Sequence, residues 1–204
     1  MPLSPKEGRF AVELAREALE RHVRGKMPST GNFDSGPFCE ARGVFVTLNS
    51  RGQAGSTLRG CIGFPYPIKK LGEAIREAAV LAASEDPRFP PVETKELDEI
   101  LVEVSILTPP QDIEAPRREI PSHVRIGRDG LLISRSHASG LLLPQVATEF
   151  GMDQAEFLSQ ACVKAGLPPD AWFDSTTRVQ IFQAEIFVEK KPRGEVVRVV
   201  NEES

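Results

Sequence analysis

Residues 43–64 read GVFVTLNSRGQAGSTLRGCIGF, and this stretch decides the fold. GVFVTL, from Gly43 to Leu48, is rich in β-branched and aromatic residues, as strands are. The polar NSRGQAGS that follows has the composition of a turn, and TLRGCIGF, from Thr57 to Phe64, returns as a second strand. Strands joined by so short a connection pair antiparallel. From Ile68 the apolar spacing becomes helical, with Leu71, Ala74, Ile75, Ala78 and Ala82 on one face. That helix must stop near Ser84, because the residue before Pro87 is pushed away from α geometry. The rigid PRFPPV, a short polar helix around Thr94 to Asp98 and the strand ILVEVSIL (Ile100 to Leu107) complete the segment.

The same order recurs further on. VRIGRDGLLIS (Val124 to Ser134) and GLLL (Gly140 to Leu143) read as strands. A helix follows, with Asp153 as N-cap, Glu156 reaching back to it, apolar Phe157, Leu158, Ala161, Cys162 and Ala165, and Gly166 at its end. After LPPDAW, RVQIFQAEIFVE (Arg178 to Glu189) reads as one long final strand. The expectation is an α+β fold with mostly antiparallel sheet, built from a duplicated strand-strand-helix-strand unit. Residues 111–122, charged and proline-bearing, read as a linker between lobes 1–110 and 123–189. Ser4-Pro5-Lys6-Glu7 forms a capping box that starts a helix running to about Val23, with Gly25 after it. Pro28 to Glu40 reads as a long loop, and the charged segment from Lys190 to Ser204 as a tail that frays.

A net charge of −4 over 204 residues excludes nucleic-acid binding through a broad basic surface, although a local basic groove stays open. No apolar run approaches the roughly 18 residues of a membrane span. The N-terminus has no basic region followed by an apolar stretch, so a cytoplasmic location is expected. Cys39, Cys61 and Cys162 are widely spaced and odd in number, which favours reduced thiols. His22, His123 and His137 have no ligand-like spacing, and neither a metal nor a cofactor is expected. The glycine signatures of phosphate loops, dinucleotide folds and hydrolase elbows are absent from the chain.

Three stretches carry chemistry. In LRGCIG, strand alternation puts Arg59, Cys61 and Gly63 on one face. The arginine suits a carboxylate or phosphate, and it could stabilise a thiolate at Cys61. Gly60 and Gly63 would let a ligand approach the backbone, or else mark a bulge around a packed thiol with Arg59 salt-bridged at a sheet edge. In SEDPRFPPV, a proline-held turn presents Asp86 and Arg88, either for recognition or as a helix stop whose Arg88 pairs with Asp86 or with helix carbonyls. In GLLLPQVATEFGM, Gln145 and Glu149 stand four apart, and Glu149 would be a general base in a cleft or else a solvated side chain.

These stretches together resemble the AMME chromosomal region protein family. The resemblance rests on LRGCIG (58–63), DPRFPPV (86–92), VEVSILTPP (102–110), LLLPQVATEFG (141–151) and KAGLPPDAW (164–172), in that order. It implies two unequal lobes around a barrel-like sheet, with no settled activity. Relatives that look like this chain are fused to, or encoded beside, Memo-like and radical S-adenosylmethionine proteins, which implies such partners. Two functions are compatible with the residues. The first, which strand glycines flanking a cation and a thiol favour, is an enzyme that holds a small anionic substrate between the lobes at Arg59, with Arg88 as a second cation, and with Cys61 as nucleophile or redox thiol. The other is a non-catalytic module that docks a protein or nucleic-acid partner.

Overall fold

The hairpin forms where the strand pattern places it, but its strands run on to Gly52 and from Gly55 through most of the stretch read as the turn, whose Gln53 and Ala54 lie outside the described residues. The computed structural model describes residues 2–27, 31, 33–52 and 55–199. In chain order, helix α1 (Pro5–Val23) is followed by strands β1 (Gly43–Gly52) and β2 (Gly55–Phe64), helix α2 (Leu71–Ser84) and strand β3 (Ile100–Leu107). Strands β4 (Gln111–Asp112), β5 (Gly130–Arg135) and β6 (Ala138–Leu142) come next, then helices α3 (Pro144–Glu149) and α4 (Gln154–Lys164). Strands β7 (Arg178–Phe182), β8 (Ala184–Glu189) and β9 (Val196–Val199) end the described chain. Residues 2–107 and 185–199 make one compact unit, and residues 108–184 another.

In the first unit a five-stranded sheet has the order β2-β1-β3-β8-β9. Alternation along β1 sends Val44, Val46 and Leu48 to one face, opposite Ile106, Val104 and Val102 of β3, and all six are buried. Leu71, Ile75 and Ala78 of α2 and Ala11, Ala15 and Leu19 of α1 belong to the same core. Helix α1 starts at the expected capping box: Ser4 Oγ accepts from the Glu7 amide, and Glu7 Oε2 accepts from the Ser4 amide at 2.7 Å. In the second unit a four-stranded sheet has the order β4-β7-β5-β6, and its core includes Leu131, Ile133, Phe157, Leu158, Cys162 and Trp172.

Several expectations need correction. The sheets are separate and open, and among the described residues neither closes into a barrel. Arg178 to Glu189 is two strands, one in each sheet, because the chain is pinned at Gln183. Its amide donates to Thr108 Oγ1 and its carbonyl accepts from the Thr108 amide, at 2.8 and 2.9 Å. The segment read as a linker carries β4, which pairs with β7, and most of the 3-10 turn Arg117–His123. Residues 124–129 form a turn around the buried Asp129 carboxylate, which accepts from the Arg125 amide and from Arg128, so the strand starts only at Gly130. Part of the charged tail is strand β9, paired antiparallel with β8, and Val200 to Ser204 lie outside the described residues. So do Pro28 to Thr30 and Asn32 of the long loop. The polar helix near Thr94 is a single 3-10 turn, Thr94–Glu96.

A buried ion pair ties the late strand to the early helix. Arg16 Nε donates to Glu189 Oε1 at 3.1 Å, and Arg16 Nη2 bonds Glu189 Oε2 and the Ile100 carbonyl. Glu189 Oε2 also accepts from the Val102 amide at 3.1 Å. Removing one partner leaves an uncompensated buried charge. We therefore expect Glu189→Ala to destabilise the fold by about 3–5 kcal/mol, read from the urea midpoint. A change under about 1 kcal/mol would mean that the pair does not anchor β8.

Candidate functional site

Strand β2 lies at the edge of its sheet, so the backbone groups on its outer side lack a strand partner. At Cys61 the loop after α2 supplies one. The Cys61 amide donates to Asp86 Oδ2 at 2.8 Å, and its carbonyl accepts from Arg88 Nη2 at 3.4 Å. Arg88 in turn donates to both Asp86 oxygens, from Nε at 2.9 Å and from Nη2 at 2.6 Å. Two side chains thus do at one peptide what a neighbouring strand would do. Pro87 between them fixes the turn, and the Phe89 amide closes it onto the Asp86 carbonyl at 3.1 Å.

Arg59 fastens the far part of the same loop. Its Nε donates to Glu96 Oε1 at 2.7 Å, and Nη1 and Nη2 donate to the carbonyls of Pro90 and Pro91. The residue can reach them because the β1–β2 register slips there: Leu48 pairs with Gly60 and Asn49 with Leu58, which leaves Arg59 as the extra residue of a bulge. Glu96 is set up for this by its own 3-10 turn, where its Oε2 accepts from the Glu93 amide at 2.7 Å. The Phe89 ring lies within cation–π range of both guanidinium groups, 5.9 Å from Arg59 and 5.5 Å from Arg88.

The two glycines are explained by close packing. A Cβ on Gly60 would stand 2.2 Å from the Ala82 carbonyl oxygen, so α2 can rest on β2 only where a side chain is missing. A Cβ on Gly63 would stand 2.2 Å from the Val44 carbonyl oxygen. Cys61 lies opposite Thr47, and Thr47 opposite Glu103, so these three share one face of the sheet. The Thr47 hydroxyl donates to Cys61 Sγ at 3.3 Å.

The charges of this cluster are set by these contacts. Hydrogen bonds from Arg88, then from the Cys61 and Arg88 amides, hold the Asp86 carboxyl well below the usual carboxylate range despite burial. Glu96 is held low chiefly by Arg59. Burial pushes the Cys61 thiol up, as do the neighbouring Glu103 and Asp86 charges, and the Thr47 hydroxyl and Arg88 only partly oppose this. Arg59, expected to stabilise a thiolate, is engaged with Glu96 and two carbonyls. The thiol is therefore the neutral form at pH 7.

Arg59, Gly60, Cys61, Gly63, Asp86 and Arg88 thus come together in the first unit. Gln145 and Glu149 belong to α3 of the second unit, where Gln145 is half-buried and Glu149 exposed. Thr47 and Glu96 take part in the first cluster although the sequence did not single them out. For Glu96 a signal existed, since Glu93 and Glu96 have capping-box spacing. Thr47 is identified only by the register of the hairpin, and the bulge hides that register. Among the described residues no group of three or more His, Cys, Asp or Glu could hold a metal ion, and no helix is long and apolar enough to cross a membrane.

Comparison with known proteins places this chain in a wider set. The model of the family described as AMMECR1 matches residues 12–187. A protein of Thermococcus gammatolerans is 55% identical over 193 residues, 94% of each chain. One of Methanothermobacter thermautotrophicus is 54% identical over 196 residues, covering 92% of this chain and 97% of its own. The crystal structure of an uncharacterised protein from Pyrococcus horikoshii superposes with a TM-score of 0.90 at 49% identity, over 97% of this chain and 98% of that one.

The depressed Asp86 carboxyl makes stability depend on pH in a definite direction. A carboxyl lowered by folding contributes stability that is fully present above its unfolded value of about 4, and loses it as pH falls toward the folded value. We expect Asp86→Asn to cost about 1–3 kcal/mol at pH 7. We also expect it to shrink the loss of stability that the unaltered protein suffers below about pH 4. Parallel acid limbs for the two proteins would contradict this reading. Alkylation of Cys61, in a Cys39→Ser, Cys162→Ser background, is expected to keep rising beyond pH 9 and to be unaffected by Arg59→Ala. A plateau near pH 7 that disappears with Arg59 would restore the thiolate reading.

Proposed function

This chain belongs to the AMMECR1 family, and we propose that the β2 edge and the loop fastened to it form a recognition surface for a partner protein. The observation that carries this reading is the internal neutralisation of the motif. Arg59 is answered by Glu96 and two carbonyls, Arg88 by Asp86, and burial keeps Cys61 protonated. A reaction centre that captures a small anion would need a cation not already paired, and a nucleophile would need its thiolate. What the arrangement supplies is stiffness: a proline-rich loop bonded to a strand edge, presenting exposed Arg88, Pro87 and Pro90 beside the partly exposed Leu58. Pre-ordered arginine and apolar groups suit protein recognition, since little freedom remains to be lost on binding.

The first partners to try are the Memo-like and radical S-adenosylmethionine proteins that the family resemblance implies. Titration of a purified Memo-like protein into this one, followed by calorimetry, is expected to give saturable binding. Cys61→Ser should leave the affinity within about twofold, whereas Leu58→Glu should weaken it at least about tenfold, as truncation at an interface hot spot does. Binding abolished by Cys61→Ser and untouched by Leu58→Glu would overturn the reading in favour of the enzyme with a small anionic substrate. Absence of binding to either partner class would remove those partners from the proposal.

We also infer that the two units descend from one ancestral strand-strand-helix-strand segment. Two observations support this. The local strand orders β2-β1-β3 and β6-β5-β7 correspond, with antiparallel pairing throughout. In each unit the second strand of the hairpin also carries a buried glycine against the C-terminal end of a helix: Gly60 at Ala82 of α2, and Gly140 at Ala165, the residue that caps α4, whose amide nitrogen would lie 2.3 Å from an added Cβ.

A further inference from the structure

The edge that Asp86 and Arg88 close at Cys61 is open nearer the turn of the hairpin. The Arg51 amide donates to the Glu99 carbonyl at 2.9 Å, so the backbone groups of Arg51 point away from β2. In an antiparallel pair, residues that stand opposite each other either both turn these groups inward or both turn them outward. Ser56, the partner of Arg51, therefore turns its amide and carbonyl to the free side of β2. Two residues on, Leu58 does the same, since the register between β1 and β2 is unbroken from Gly55 to Leu58. Among the described residues nothing bonds to these four groups, whereas the peptide of Cys61, further along the same edge, is answered at both of its groups.

The open run has little of the usual protection of a strand edge. Residues 55–58 read GSTL, without proline, lysine or carboxylate. All four are exposed, and Leu58 keeps 40% of its surface. The bulge at Arg59 and the loop clamped beyond it end the run, which limits strand pairing to this length. Donor and acceptor pairs about 6.8 Å apart match an extended polypeptide, whose own groups face one side at every second residue. Two folded copies meeting at this edge alone would contribute about four residues each, well short of the roughly 20–30 a side that a stable interface uses. A flexible segment escapes that limit, because it can continue across the loop, whose Pro87, Arg88 and Pro90 are exposed.

We propose that a partner protein docks here by strand addition. An extended segment of the partner pairs with residues 55–58 of β2, bonds the amides and carbonyls of Ser56 and Leu58, and sets an apolar side chain against Leu58. This rests on the reading of the β2 edge as a recognition surface and adds how the partner is held. Main-chain bonds supply the affinity, so the side chain of Ser56 is dispensable and its amide is not.

The test uses a capped hexapeptide of alternating valine and threonine, titrated into the full chain and followed by amide shifts and hydrogen exchange. Saturable shifts at Ser56 and Leu58 are expected, with slower exchange of both amides at saturation. Ser56→Pro deletes one outward donor and leaves the bonds between β1 and β2 in place; it should weaken the peptide at least about tenfold. Ser56→Ala keeps the amide and should leave the affinity unchanged. Should Ser56→Pro disturb the fold, the same peptide N-methylated throughout, and so unable to donate to the edge, should bind the unaltered protein at least about tenfold more weakly. Strand addition is overturned by the lack of any saturable shift up to millimolar peptide, by equal binding of the N-methylated peptide, by a folded Ser56→Pro protein that binds as well, or by shifts centred on Val196 to Val199 of β9. It is equally overturned if a second copy of the chain occupies the edge, seen as a dimer without peptide that Ser56→Pro dissociates. A partner protein weakened by Leu58→Glu yet indifferent to Ser56→Pro would keep the recognition surface and overturn strand addition alone.

Discussion

One carboxylate holds the first unit's edge together. Asp86, almost fully buried, accepts from the amide of Cys61 on a strand that, among the described residues, has no neighbouring strand on that side. An edge strand is a hazard because its free amides and carbonyls invite another chain to pair with it. Here the peptide of Cys61 is answered on both sides by a two-residue device, Asp86 for the amide and Arg88 for the carbonyl. The helix packing depends on the same contact. Asp86 sits two residues after α2 ends, and α2 rests on β2 at Gly60, so the loop, the helix and the strand are positioned as one body.

This constraint explains why the most unusual residues of the chain lie close together. Gly60 makes room for a helix, Arg59 clamps a proline-rich loop, and Asp86 and Arg88 satisfy a backbone edge. Each has a partner that accounts for its chemistry. Cys61 is pinned at its peptide while its thiol is kept neutral by burial. The polar network is therefore fully answered within the unit, the condition under which such networks rigidify a surface.

Much of the fold was legible from local signals. The capping boxes at Ser4 and Asp153 and the apolar spacing of Leu71 to Ala82 mark helices, because both depend on residues within one or two turns. The hairpin of β1 and β2 was legible from β-branched runs flanking a polar turn. What failed depends on distant partners. Arg178 to Glu189 has uninterrupted strand character, yet Thr108 fixes the backbone at Gln183 and sends the two parts into different sheets. The charged residues after Lys190 gave no hint that Val196 to Val199 would find β8. In the candidate site, the residue types at Arg59, Cys61, Asp86 and Arg88 pointed to a shared location. The pairing of Arg88 with Asp86 and a salt bridge of Arg59 at a sheet edge were legible as alternatives, but Glu96 as the partner of Arg59 was not, because the bulge at Arg59 breaks the alternation on which face assignments rely.

The most direct test of this account is hydrogen exchange of the Cys61 amide. If Asp86 stands in for a missing strand, that amide exchanges slowly in the unaltered protein. In Asp86→Ala it should exchange far faster, while the amides of β1 and β3 keep their protection. Equal protection of the Cys61 amide in both proteins would contradict the central claim, since the edge would then be held by something other than the Asp86 carboxylate.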